Sequence, residues 1–229
     1  MPGAVVLLSG GLDSSTVLYM ARERGFQLHA LSFDYGQRHR IELERAGRQA
    51  QAADCAAHVV VRIDPVLFSG TALVGTDVAV PRGRDIDNSI PVTYVPGRNI
   101  LFLAHALSYA ESRQIVDIFI GANALDYSGY PDCRPEFFEA FSRMAHLGTR
   151  AGSMGGSPQI HAPLLKMTKA AIIREGLRLG VDYAATTSCY DPGPEGRPCG
   201  GCDSCVLRAK GFREAGSPDP LGDGHSQVS

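Results

Sequence analysis

The sequence predicts an α/β fold, a doubly wound parallel sheet with a small C-terminal extension built on cysteines. Three observations predict it. Short apolar runs alternate with segments of helical periodicity along most of the chain, as in strand–helix–strand units. The first run, residues 4–8, is apolar throughout instead of alternating in polarity, as a strand covered by helices on both faces must be. Four of the six cysteines, Cys189, Cys199, Cys202 and Cys205, crowd together near the C-terminus. The expected division is an α/β domain over residues 1–185, a cysteine-bearing segment over 186–215 packed on it, and a disordered polar tail over 216–229.

The elements follow in order. Residues 4–8 form a central strand. A helix starts at about Leu12, with Thr16, Val17, Met20 and Ala21 on one side and Gly25 where a helix-ending glycine belongs. Residues 27–33 are the second strand, 39–53 its helix and 58–63 the third strand. The Gly/Pro-punctuated residues 64–96 make an excursion over the strand ends. Asn99 caps a helix that runs to Glu111. Residues 116–120 are another buried strand, and 135–147 a helix opened by Pro135. Residues 148–157 are glycine-rich and expected to be mobile. Thr168 caps a helix ending near Gly180, and 202–215 form the last helix. Ligands of such sheets bind at the carboxyl ends of the strands. Every motif below, apart from the cysteines, lies at that edge.

The chain has 229 residues, enough for one such domain and a small appendage, and its formal net charge is -2. A nucleic-acid substrate calls for a basic face. The balance of charge demands none, so a small-molecule substrate is expected and no nucleic acid. No apolar run approaches the roughly 18 residues of a membrane span, and the first residues lack a signal-like basic region. The expectation is a cytoplasmic protein without membrane contact. In that compartment, cysteines at this density form a metal site and not disulfides.

After the first strand comes Ser9-Gly10-Gly11-Leu12-Asp13-Ser14-Ser15. Two glycines let backbone approach a ligand, and the amides and dipole of a helix start favour phosphate. The loop is neither a Walker A sequence nor a GxGxxG fingerprint. A tight turn with Asp13 or Ser14 satisfying the helix terminus is the plainer alternative. Asp13 argues against it, because a carboxylate beside phosphate implies Mg²⁺ between them. The whole stretch, Leu8, Ser9, Gly10, Gly11, Leu12, Asp13, Ser14, Ser15, Thr16, Val17 and Leu18, resembles the PP-loop of N-type ATP pyrophosphatases. That resemblance implies the Rossmann-like, adenine-nucleotide-hydrolase version of the fold. It also implies cleavage of ATP between its α- and β-phosphates, with these residues binding ATP.

The four cysteines supply two overlapping C-x-x-C pairs and one upstream thiolate, with Gly200 and Gly201 allowing a tight wrap. Four sulfurs with no open position suit a structural Zn²⁺. An iron–sulfur cluster is the rival, but its fourth cysteine commonly follows the run instead of preceding it. Cys55 reads as a buried apolar residue, and Cys133 carries no assigned chemistry.

Four further stretches are Tyr35-Gly36-Gln37-Arg38-His39, Val95-Pro96-Gly97-Arg98-Asn99, residues 123–137, and Ser188-Cys189-Tyr190 together with Cys199-Gly200-Gly201-Cys202-Asp203-Ser204-Cys205. With the PP-loop, and in this order from Val5 to about Arg213, the chain resembles the 7-cyano-7-deazaguanine synthase family of the queuosine pathway. Ala171 departs from that pattern, where a glutamate is common. The resemblance implies a C–N bond-forming ligase and a homodimer. Its substrate would be 7-carboxy-7-deazaguanine, and ATP would be used twice, first to make an amide with ammonia and then a nitrile. Another PP-loop enzyme, acting on tRNA or a small carboxylate, is the alternative.

The remaining residues read as follows. Arg98, after a Pro-Gly turn, clamps a phosphate or is simply solvated. Lys169 opposes the dipole of its own helix start, a cost that makes sense if an anion sits there; Lys166 is a weaker candidate. Asp13, Arg98 and Lys169 are the catalytic set. Asp126 can accept from the edge of a guanine-like ring. Tyr127 and Tyr130 can stack or merely pack. Arg134 meets the substrate carboxylate or pairs with Asp132. Tyr35, Gln37 and His39 end the second strand within reach of base or substrate. Residues 71–96 and 148–157 are expected to close over the site. Residue 2 is Pro, and with no N-terminal cysteine nucleophile the expected nitrogen donor is free ammonia, not channelled glutamine.

Overall fold

The computed structural model describes residues 1–68, 70–75, 78–83, 89–125 and 129–222. Five strands form one sheet: β1 (Gly3–Leu7), β2 (Gln27–Asp34), β3 (Ala57–Arg62), β4 (Asp117–Phe119) and β5 (Gln159–His161). Their order is β3-β2-β1-β4-β5, and every pairing is parallel. Val5 of β1 sits between His29 of β2 and Ile118 of β4.

Alternation along β1 sends its side chains into two separate cores. Ala4 and Val6 join the layer of α1 (Leu12–Glu23), α2 (Ile41–Ala52), α6 (Lys169–Leu179) and α7 (Asp203–Ala215), through Val17, Leu18, Ala46, Ala50, Ile172, Ile173 and Phe212. Val5 and Leu7 join the layer of α3 (Arg98–Glu111) and α4 (Pro135–Gly148), through Leu103, Ala106, Phe138 and Phe141. Burial on both faces explains the unbroken apolar run of β1. Each buried Val, Leu, Ile or Phe contributes about 1.5–3 kcal/mol. The chain winds outward from β1 to β3, then returns to the other side of β1 with β4. The strand order therefore reverses between β1 and β4, and their carboxyl ends open a crevice there.

The structure departs from the sequence expectation in four places. First, β5 was not expected. It is three residues long and starts on an exposed Gln159, so it shows no apolar run. His161 anchors it by donating from Nε2 to Asp117 Oδ1 at 2.7 Å and by stacking on Phe119 at 4.3 Å. Second, Asn99 is not a cap. Gly97, at φ 64°, takes that position. The Asn99 backbone N–H donates to the Asp132 carboxylate at 3.0 Å, and its amide donates to the Asp132 carbonyl at 2.9 Å. Third, the glycine-rich residues 148–157 contain a short helix, α5 (Arg150–Ser153). Thr149 caps it by accepting from the Gly152 N–H. Fourth, the chain past Gly216 does not leave the surface at once, because Asp219 is held by Arg208 of α7. Residues 223–229 lie outside the described residues.

Elsewhere the helix signals hold. Thr168 accepts from the Ala171 N–H at 3.2 Å, and Gly180 ends α6 at φ 80°. Among the described residues, no helix is long and apolar enough to cross a membrane.

Candidate active site

The crevice is built from backbone first. Gly10 turns the chain out of β1 at φ 80°, and a Cβ there would meet Glu42 O at 2.3 Å and Ala46 N at 2.5 Å. Only glycine lets the loop press onto α2 in that conformation. Gly11 precedes α1 and offers no side-chain cap, which leaves the Asp13 and Ser14 amides of the first turn for water or a ligand. Across the crevice, a Cβ on Gly121 would come within 3.0 Å of Ser14 N and Cα. The chain leaving β4 therefore touches the first turn of α1 directly. Ser9 and Ser14 share a hydroxyl–hydroxyl bond of 2.9 Å, and the Ser9 N–H donates to Ser14 Oγ at 3.1 Å.

Charge enters from a distant segment. Lys169, the first residue of α6, donates to both carboxylate oxygens of Asp13, at 2.7 and 2.8 Å. Both side chains are partly buried, at 10% and 24% exposure. The anion that compensates a lysine at this helix start is thus Asp13, at least in this state of the molecule. Lys166 is exposed and stands outside the crevice lining.

One wall is aromatic. Phe33 stacks on Phe102 with centroids 3.9 Å apart and planes 4° from parallel, and Tyr35 meets Phe102 edge-on at 5.5 Å. Burial pushes the Tyr35 phenol up to about 12, despite the Arg98 guanidinium beside it. Tyr130 shares a 2.9 Å hydroxyl bond with Thr93. Burial likewise pushes the Cys133 thiol up to about 12, so it is an inert thiol beside Arg98. His39 Nε2 lies 3.2 Å from the Glu42 carboxylate, both buried.

The opposite wall comes from residues just before the cysteines. The Thr187 N–H donates to Gly10 O at 3.0 Å, and Ser188 Oγ accepts from the Leu12 N–H at 3.5 Å. Next comes Cys189. Its sulfur and those of Cys199, Cys202 and Cys205 all lie within 4.8 Å of one another. A tetrahedral thiolate site for a first-row cation has sulfur–sulfur edges of roughly 3.8 Å, so the donor set fits one four-coordinate ion. Hydrogen bonds from Cys189 and Cys205 hold Cys202 well below the ordinary thiol range. Cys202 also precedes α7, which joins the cluster to the helical layer.

The crevice gathers Leu8, Ser9, Gly11, Leu12, Asp13, Ser14, Tyr35, His39, Arg98, Tyr130 and Lys169 of the expected residues. It does not gather the others. Gly10 packs beneath the loop. Ser15, Thr16, Val17 and Leu18 have rotated with the helix into the interior, where Thr16 bonds Leu12 O and the Tyr183 hydroxyl. Gln37 spends its amide internally, accepting from the Tyr35 N–H and donating to Phe33 O and Glu42 Oε1. Arg134 is exposed before α4 and outside the lining. Asp126 and Tyr127 lie outside the described residues. Residues the sequence reading missed include Phe33, Glu42, Phe102, Thr187, Ser188 and Arg208. Phe33 was within reach, since it shares a strand face with Tyr35 two residues on.

Comparison with known proteins bears on this arrangement. Residues 3–216 match the family model described as queuosine biosynthesis protein QueC. The chain belongs to the QueC family. Among QueC relatives, the 7-cyano-7-deazaguanine synthase of Kineococcus radiotolerans is 60% identical over 95% of this chain and 96% of that one. The enzyme of the same name from Syntrophotalea carbinolica is 60% identical over 95% and 94%. A solved 4-thiouridine synthetase–RNA complex with bound ATP superposes with a TM-score of 0.51 at 16% identity, covering 97% of this chain and 48% of that one. At that identity the likeness concerns the fold alone. The fold of this QueC chain is thus an α/β fold on a five-stranded parallel sheet, and its four-cysteine set could hold a metal.

Proposed function

We propose that this chain converts 7-carboxy-7-deazaguanine and ammonia to the 7-cyano compound at the expense of ATP. The observation that carries the reading is convergence. Asp13, Lys169 and Arg98 come from three separate segments into one crevice, at the open first turn of α1 and the strand-order reversal. ATP phosphates lie at the α1 amides and the Ser9 and Ser14 hydroxyls. The substrate carboxylate attacks the α-phosphorus, the bond to the β-phosphate breaks, and pyrophosphate leaves. Ammonia then displaces AMP from the acyl carbon, giving the amide. A second adenylation, at the amide oxygen, makes that oxygen a leaving group, and its departure with AMP leaves the nitrile.

The protein's part is positioning and charge compensation. Lys169 and Arg98 offset the charge that develops on the leaving pyrophosphate. Asp13 is the residue that would hold Mg²⁺, which supplies further neutralisation when bound. The Phe33–Phe102–Tyr35 wall offers stacking for a flat ring and keeps water from the reactive acyl-adenylate anhydride. Asp126 and Tyr127 are proposed to read the deazaguanine edge. Zn²⁺ is the ion that four enclosed thiolates suit best, as a structural group. Free ammonia as nitrogen donor, a homodimer in the cytoplasm, and no nucleic-acid partner complete the proposal. Incubation of the chain with ATP, ammonia and the carboxylate tests it by mass spectrometry of the deazapurine. A nitrile product with stoichiometric pyrophosphate is expected, and substrate recovered unchanged from folded protein ends the reading.

A further inference from the structure

Arg208 of α7 lines the crevice, yet its donors are committed to protein groups. Nε and Nη2 donate to the Asp219 carboxylate at 2.8 and 2.9 Å, Nη1 to Thr186 Oγ1 at 2.8 Å, and Nη2 also to Tyr183 O at 3.1 Å. The guanidinium lies 5.1 Å from the Phe212 ring centre. Both side chains of the pair are enclosed, at 6% and 4% exposure. Two ions taken out of water bring a large desolvation cost that apolar residues of similar size avoid, so stability alone does not account for them. What such a pair fixes is geometry, because the planar fork of arginine accepts few arrangements of its acceptors.

The geometry it fixes leads to the phosphate loop. Thr186, held by Arg208, precedes Thr187 and Ser188, which bond Gly10 O and the Leu12 N–H. Directly after this three-residue wall comes Cys189, part of the sulfur cluster. The wall is therefore pinned twice, by a cation site on one side and by Arg208 on the other. Asp219 comes from the segment after the last helix, and its Oδ1 also accepts from the Leu221 N–H.

We propose that Asp219 and Arg208 are positioning residues for ATP, a C-terminal strap that sets the Thr186–Ser188 wall against the phosphate loop. The inference rests on the ATP-dependent reading above. Arg208 touches no reacting atom; it acts through Thr186 on Gly10 and Leu12. Steady-state pyrophosphate release, with thermal unfolding of the same samples, tests it. D219N raises KM for ATP about tenfold while KM for the deazapurine stays within about twofold, since a displaced phosphate loop misplaces only the nucleotide. D219E restores part of the ATP affinity. The double variant D219N/T186V is no worse than the more severe single one, because the two residues act in series. A folded D219N protein with unchanged KM for ATP, or with both KM values raised alike, overturns the strap. If D219N does not fold, T186V, which removes one hydroxyl, decides by the same criterion. Absence of pyrophosphate release from the unaltered chain sinks the functional reading and the strap with it; an active chain with indifferent variants sinks the strap alone.

Discussion

The phosphate loop and the cysteine cluster lie on either side of the same three-residue wall, and they prepare for charge in opposite ways. In the loop the polar groups are already paired with one another. Ser9 bonds Ser14, and Lys169 bonds Asp13. Those pairs are short, partly open to solvent and exchangeable, so a nucleotide can replace each partner without stranding a buried charge. In the cluster, four sulfurs crowd within 4.8 Å of one another, a set that one cation would hold together, and the Cys199 N–H donates to Cys189 Sγ at 3.2 Å. The difference teaches that a site meant to release its ligand keeps internal stand-ins, whereas a site meant to retain it does not.

Substitutions can break or sharpen that contrast. The largest effect is expected from C202S. It removes one of four proposed ligands, and the free energy of a metal bound there would be part of the folding free energy. Bound metal falls below stoichiometric and stability drops by several kcal/mol, roughly 10 °C or more in melting temperature at this chain length. A metal-free variant that melts with the parent protein would erase the distinction between the two regions. Next is D13A. Turnover falls by about 10³-fold or more, equivalent to roughly 4 kcal/mol of barrier. The melting temperature moves only a few degrees, since the lost ion pair is partly exposed. A collapse of the fold instead would make Asp13 a structural residue like the cysteines. The smallest effect is expected from T168A. It leaves the Ala171 N–H without its cap, at about 1 kcal/mol and roughly 2–4 °C. KM for ATP should stay constant, because Lys169 remains in place beside it; a large change in KM would show that the cap positions the lysine.

What could be read from sequence follows the same division between local and distant. β1 was legible because burial on both faces leaves an apolar run, and α6 because Thr168 and Gly180 are local signals at its two ends. The cysteines were legible because their spacing is itself the chemistry. The Lys169–Asp13 pair was not, since the partners are 156 residues apart and nothing in either neighbourhood names the other. β5 was invisible because three residues with an exposed glutamine carry no periodicity. The PP-loop resemblance pointed to the stretch that opens the crevice but could not say where the helix turns away from it. Leu12, Asp13 and Ser14 line the crevice, while Thr16, Val17 and Leu18 are interior residues of the same helix. Gln37 shows the converse error: a polar residue between Tyr35 and His39 looked like a ligand contact and proved to be scaffolding.

The long separation of Lys169 from Asp13 has a consequence for how the molecule is made. At ribosomal rates of about 5–20 residues per second, roughly ten to thirty seconds pass between synthesis of the aspartate and of its lysine. Until α6 emerges, the growing polypeptide carries Asp13 without the lysine that pairs with it. Arrested nascent chains that stop short of Thr168 should therefore retain no nucleotide, and translation must run most of its course before the first half of the gene product becomes an enzyme.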